Sequence, residues 1–142
     1  MTAVCLVQGL RYRHAAGPPG FELHVPNLSI RRGDRLAVLG PSGTGKSTLL
    51  DALALLLRPT ALLSWTLQTD AGAEDIAGLY AAGATGHLRN LRGRLLGYVL
   101  QAGGLLPFLS VRDNIELPRR LLGLPQDGTV QRLAAYLRIE RH

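Results

Sequence analysis

Little in this sequence can be crosslinked, and nothing in it is long enough to cross a membrane as a helix. Cysteine occurs once, at Cys5. That leaves no internal disulfide and no cysteine partner for a metal site, and it fits a reducing compartment. The longest apolar stretch, near Leu49–Leu57, is interrupted by Asp51. It falls far short of the ~20 residues a membrane helix needs. The N-terminus has no charged start followed by an apolar run, so no secretory signal is read. A soluble, cytoplasmic chain is expected. Aromatics make up 5% of the residues against 46% hydrophobic overall, so the core must be mostly aliphatic.

Blocks of like charge are also missing. The formal net charge is +6, but its densest spots are only the pairs Arg31–Arg32 and Arg119–Arg120. Scattered charge of this kind describes a generally basic surface, and no nucleic-acid partner is read from it. Lysine is nearly absent. Of sixteen basic residues only Lys46 is a lysine. Arginine and lysine are not interchangeable where a small point charge must fit under a phosphate.

The chain reads as α/β. Val4–Leu10 predicts a strand, Arg11–Gly20 a turn, and Phe21–Ile30 one or two antiparallel strands broken at Pro26–Asn27. Arg31–Asp34 predicts a tight turn around Gly33. Arg35–Leu39 is a continuous apolar run that suits a parallel strand covered on both faces. A helix is expected from Lys46 to Leu57, stopped by Arg58–Pro59. Ala61–Thr69 reads as a strand, 70–86 is ambiguous, His87–Leu95 reads as a helix and Leu96–Leu100 as a short strand before a loop at 101–107. Ser110 and Thr129 are expected to cap two last helices, the first meeting Pro118.

The chemistry is concentrated at residues 40–48, which read Gly-Pro-Ser-Gly-Thr-Gly-Lys-Ser-Thr. This is G-x-x-x-x-G-K-S, the Walker A pattern, placed between an expected strand and an expected helix. Gly40, Gly43 and Gly45 admit backbone dihedrals that a Cβ obstructs, so the loop can turn its N–H groups inward around phosphates. The helix start adds the positive end of its dipole. Pro41, Ser42 and Thr44 complete the cradle. Lys46 is expected to reach the β- and γ-phosphates, Ser47 to offer its hydroxyl to Mg²⁺, and Thr48 to donate to the α-phosphate.

A P-loop alone does not name an NTPase. The flanking residues do more. Leu39–Leu50, LGPSGTGKSTLL, resembles the ATPase subunits of ABC transporters. So does Leu91–Pro118, LRGRLLGYVLQAGGLLPFLSVRDNIELP, which is similar to that family's Q-loop region. It looks nearest to the lipoprotein-release and macrolide-export type. The resemblance implies a P-loop NTPase core of the ABC type, with an antiparallel β segment at the N-terminus and part of a parallel sheet with helices. It implies ATP and Mg²⁺ as ligands. It places Gln101 at the glutamine that contacts Mg²⁺ near the attacking water. It places Tyr12, in the turn after the first strand, at the aromatic that stacks on adenine. Its implied partners are a second ATPase subunit in a head-to-tail dimer and transmembrane permease subunits met through the Q-loop. The location it implies is peripheral, at the inner face of the cell membrane.

Several of the family's marks are absent from these 142 residues. There is no Leu-Ser-Gly-Gly-Gln signature, and no apolar run ends in Asp-Glu as a Walker B would. The glutamate that polarises water is missing with it, and His142 is simply the last residue. The expectation is one N-terminal part of an ABC ATP-binding domain, incomplete as given, with an unpaired sheet edge, weak nucleotide binding and almost no hydrolysis. The alternatives are a short regulatory module that binds nucleotide without hydrolysing it, and a small-molecule kinase. The Gln101 region argues against the kinase.

Overall fold

The computed structural model describes residues 3–13, 20–101 and 103–139. Most of the expected turn at 11–20, together with Glu140 and His142, lies outside them. The chain divides into two compact units, Met1–Gly97 and Tyr98–His142.

The first unit is built on a four-stranded sheet. β1 (Ala3–Arg13) pairs antiparallel with β2 (Glu22–Arg31) on one side and with β3 (Ser64–Thr69) on the other, and β3 turns back into β4 (Gly72–Asp75). β2 is one strand, not two. Pro26–Asn27 changes which side chains face inward instead of breaking the pairing. Leu23 and Val25 point in before it, Leu28 and Ile30 after it. β1 makes the matching change at Gly9, whose φ of 60° lies in the left-handed region. Cys5 and Val7 are buried before that point and Leu10 after it. From Cys5 to Arg13 the two strands therefore keep their register while presenting apolar residues to one core.

α1 (Lys46–Leu53) packs Ala52 into that core and ends sooner than the apolar pattern suggests. Leu55 takes a left-handed conformation, with φ 58°. The N–H of Leu56 then donates to Asp51 O and that of Leu55 to Ala52 O, a closure that turns the chain out of the helix. Arg92 also donates to Leu55 O at 2.8 Å. Residues 70–86, ambiguous in sequence, form the β3–β4 hairpin, α2 (Ile76–Ala81) and the start of α3 (Thr85–Leu95). Asp75 caps α2 by accepting from Gly78 N at 3.0 Å. Trp65, Leu10, Ile76 and Val7 are almost wholly buried.

Two expected strands are not strands. Residues 35–39 and 96–100 are irregular, with Leu39 88% and Val99 94% exposed. All strand pairing among the described residues is antiparallel. A strand exists only where a neighbour takes its backbone hydrogen bonds. Among the described residues neither run is paired with another segment.

The second unit contains α4 (Val111–Leu121) and α5 (Thr129–Leu137). Ser110 caps α4 as expected, accepting from Asp113 N at 3.1 Å. The helix meets Pro118 as expected and runs on through it to Leu121. Arg120 spans that position, bonding Glu116 at 2.6 Å and Asp113 at 3.1 Å. Thr129 does not cap α5. Gly128 holds the cap position, and Asp127 accepts from Thr129 N at 3.0 Å.

Candidate functional site

The loop at 40–48 turns on three glycines with positive φ, 153° at Gly40, 82° at Gly43 and 93° at Gly45. Such values are strained for any residue with a Cβ. Thr44 Oγ1 donates to Pro41 O at 2.9 Å, tying the loop across itself. Lys46 opens α1, and its side chain folds back over the loop. Its ammonium donates to Gly40 O at 2.9 Å and to Pro41 O at 2.6 Å. The charge sits over the glycine turns because the lysine stem is long enough to return across six residues.

The start of α1 is left open for a ligand. Its cap residue is Gly45, which makes no side-chain bond, and no acidic residue stands in the first turn. The first N–H groups of a helix have no partner within it, and their partial positive charge favours an anion. Ser47 is exposed beside them, while Gly45, Lys46 and Thr48 are half-buried. Pro41, Ser42, Gly43 and Thr44 are exposed. A cradle of backbone donors, one mobile cation and an adjacent hydroxyl is what a nucleoside polyphosphate with its magnesium requires. Among the described residues no cluster of three or more His, Cys, Asp or Glu forms a protein cage for a metal. A magnesium ion here would rest on hydroxyl, amide and phosphate oxygens, as that ion commonly does.

Tyr12 lies within β1, opposite Leu23 of β2, and not in the following turn. Directly opposed residues of an antiparallel pair share a face. Leu23 reaches the loop: its Cδ1 lies 3.5 Å from the place a Cβ on Gly45 would take. Tyr12 thus shares a face of the sheet with the residue whose side chain comes to position 45. Gln101 belongs to the second unit, exposed at a bend after residues 96–100.

One residue of the second unit escaped the sequence reading. Asn114 accepts from Leu106 N at 2.7 Å through Oδ1. Its Nδ2 approaches Leu106 O at 3.0 Å, Leu109 O at 3.2 Å and Ser110 O at 3.0 Å. It holds the loop at 106–110 against the first turn of α4. The available signal was an asparagine four residues after a serine cap, where a short amide competes for backbone groups.

The pattern of the ABC transporter family matches residues 23–142. The chain is 35% identical over 134 residues to the macrolide export ATP-binding/permease protein MacB of Nitrosomonas europaea, covering 92% of this chain and 19% of that protein. It is 43% identical over 102 residues to the lipoprotein-releasing system ATP-binding protein LolD of Paramagnetospirillum magneticum, covering 70% and 40%. It is 37% identical over 134 residues to LolD of Ruegeria, covering 92% and 55%. The chain therefore spans about half or less of the length of these relatives. No helix among the described residues is long and apolar enough to cross a membrane. With the loop at 40–48 built as the motif requires and the family pattern covering the chain from Leu23 onward, this chain belongs to the ABC transporter family.

Proposed function

We propose that this chain binds Mg·ATP at residues 40–48 and forms part of the ATPase that drives an ABC transporter. One observation carries the reading: the Lys46 ammonium is folded over the glycine turns beside an uncapped helix start. On ATP binding Lys46 exchanges the carbonyls of Gly40 and Pro41 for the β- and γ-phosphates. The N–H groups from Gly43 onward take the remaining phosphate oxygens, and Thr48 serves the α-phosphate. Ser47 ligates the magnesium, whose charge offsets that of the phosphates. Tyr12 supports the adenine ring. Gln101 serves as the second protein ligand to the metal and couples the site to a permease.

In the complete protein two such units enclose two nucleotides head to tail, at the inner face of a membrane. The apolar segments at 35–39 and 96–100 find their strand partners in the parallel sheet of the whole domain. Likeness to MacB and LolD, the one named for macrolide export and the other for lipoprotein release, favours outward transport. The 142 residues themselves contain no Walker B acid pair, so these residues alone are expected to hydrolyse almost no ATP.

Titration calorimetry of the 142-residue chain with Mg·ATP is expected to show saturable binding. Lys46→Ala is expected to weaken it by about tenfold or more, which corresponds to about 1.4 kcal/mol. Phosphate release is expected to stay at background. Binding indifferent to Lys46→Ala sinks the assignment of the site, and turnover that vanishes in Lys46→Ala sinks the claim that this chain does not hydrolyse.

A further inference from the structure

The chain leading into residues 40–48 has little to lean on. Residues 35–44 are all exposed, and Leu36 and Leu39 pack against no core. Internal bonds shape the loop but do not fix where it sits: Thr44 and Lys46 both bond within it. Side chains of the sheet supply the outside support. A Cβ on Gly45 would stand 2.9 Å from Phe21 Cζ and 3.4 Å from Phe21 Cε2, with Leu23 Cδ1 next at 3.5 Å. The Phe21 ring therefore brings its Cζ and Cε2 atoms into the space that a side chain at position 45 would take.

That contact falls at a sensitive point. Gly45 is the cap of α1, with φ 93° and ψ 14°. Its dihedrals set where the N–H groups of Lys46, Ser47 and Thr48 aim. Phe21 itself is anchored, because the next residue, Glu22, pairs with Arg13 in the β1–β2 ladder and forms an ion pair with it at 3.7 Å. The ring links a hydrogen-bonded sheet to an otherwise exposed loop.

We propose that Phe21 is a positioning residue for the phosphate-binding loop, holding Gly45 in its left-handed conformation so that the start of α1 is preorganised for a nucleoside polyphosphate. This rests on the nucleotide-binding reading above. Phe21 acts through the loop in this proposal, so its loss weakens every ligand that uses the phosphate cradle. A loop held in its binding conformation gives up less freedom when a ligand arrives.

The test compares the parent chain with Phe21→Ala, Phe21→Leu and Val25→Ala, each checked for folding by circular dichroism, using Mg·ATP and inorganic tripolyphosphate as separate probes. Val25 is buried in β2, four residues after Phe21, and is not among the nearest neighbours of position 45, so its truncation loosens the core without touching the loop. The proposal expects Phe21→Ala to weaken both probes by about tenfold. It expects Phe21→Leu to recover most of that loss and Val25→Ala to lower the melting temperature with unchanged affinity. Equal affinity in parent and Phe21→Ala overturns the proposal. So does a loss confined to ATP, which would make Phe21 a base contact, and so does an equal loss in Val25→Ala, which would make the effect general. If the parent binds neither probe, the nucleotide reading fails first and takes this one with it. Parent binding that Lys46→Ala abolishes and Phe21→Ala leaves intact overturns this inference alone.

Discussion

Among the described residues, eleven buried apolar side chains precede Gly97 and one, Val130, follows it. The first unit wraps its sheet and helices around Trp65, Leu10, Ile76 and Val7. The second has few such residues. It is held instead by directed polar contacts: Ser110 with Asp113, Asn114 with the 106–110 loop, Arg119 with Pro125 O and Asp127, and Arg132 with Asp127 O and Thr129. Burial is non-directional and roughly proportional to area, so it tolerates small shifts. Exposed ion pairs contribute little each and are screened by salt. The first unit can therefore support a rigid cradle, whereas the second answers to local changes in charge and solvent.

The largest test of that contrast is Trp65→Ala. Trp65 is 1% exposed and lies with its ring centroid 6.3 Å from that of Tyr80. Removing it is expected to cost about 3–5 kcal/mol in the first unit. Denaturant unfolding followed by circular dichroism measures this. A cost near zero would mean the sheet does not depend on its core.

A smaller effect is expected at Asn114. Asn114→Ala leaves Leu106 N and the carbonyls at 106, 109 and 110 without their side-chain partner. The expected cost is about 1–3 kcal/mol, confined to the second unit. Amide hydrogen exchange is expected to accelerate at 106–114 and not in β1 or β3. Acceleration throughout would show that the two units unfold together.

Acid sharpens the comparison further. Hydrogen bonds from the Thr129 hydroxyl and N–H, with the Arg119 guanidinium nearby, hold the Asp127 carboxyl down at about 2. The Ser110 hydroxyl and Arg120 lower Asp113 as well. An unfolded aspartate titrates near ~3.9. Each depressed carboxylate thus adds stability that is present above about pH 4 and is lost as the pH falls through its own lowered value, about 2 for Asp127. The amides of α4 and α5 are expected to lose exchange protection over that range before those of β1 and β3. Loss in the opposite order would contradict a polar second unit. Both carboxylates are substantially exposed, so this effect is the smallest and shrinks with added salt.

The cradle was legible because its requirements are local. Glycines at 40, 43 and 45, a lysine next and a serine after it define dihedrals and reach over a few residues, whatever the rest of the chain does. The cap at Ser110 was legible for the same reason. The β1–β2 pairing was half legible. Alternation showed two apolar runs in Phe21–Ile30, yet their union into one strand depends on Gly9 across the ladder. Residues 35–39 and 96–100 carry the clearest apolar runs and were misread in this chain, because composition reports affinity for a core but not whether a neighbour is there.

What the sequence determined by itself was therefore short-range: the glycine-lysine loop, the starts of α1 and α4, an aliphatic interior and the likeness to ABC transporter ATPases. Only tertiary structure decided that Pro26–Asn27 continues a strand, that α1 stops at Leu53, that Asn114 secures the 106–110 loop and that Phe21 rests on Gly45. Each of these depends on a side chain or backbone group brought close by folding. A linear pattern encodes the preferences of a residue and its near neighbours, whereas packing and hydrogen-bond partnership belong to pairs that meet only in three dimensions.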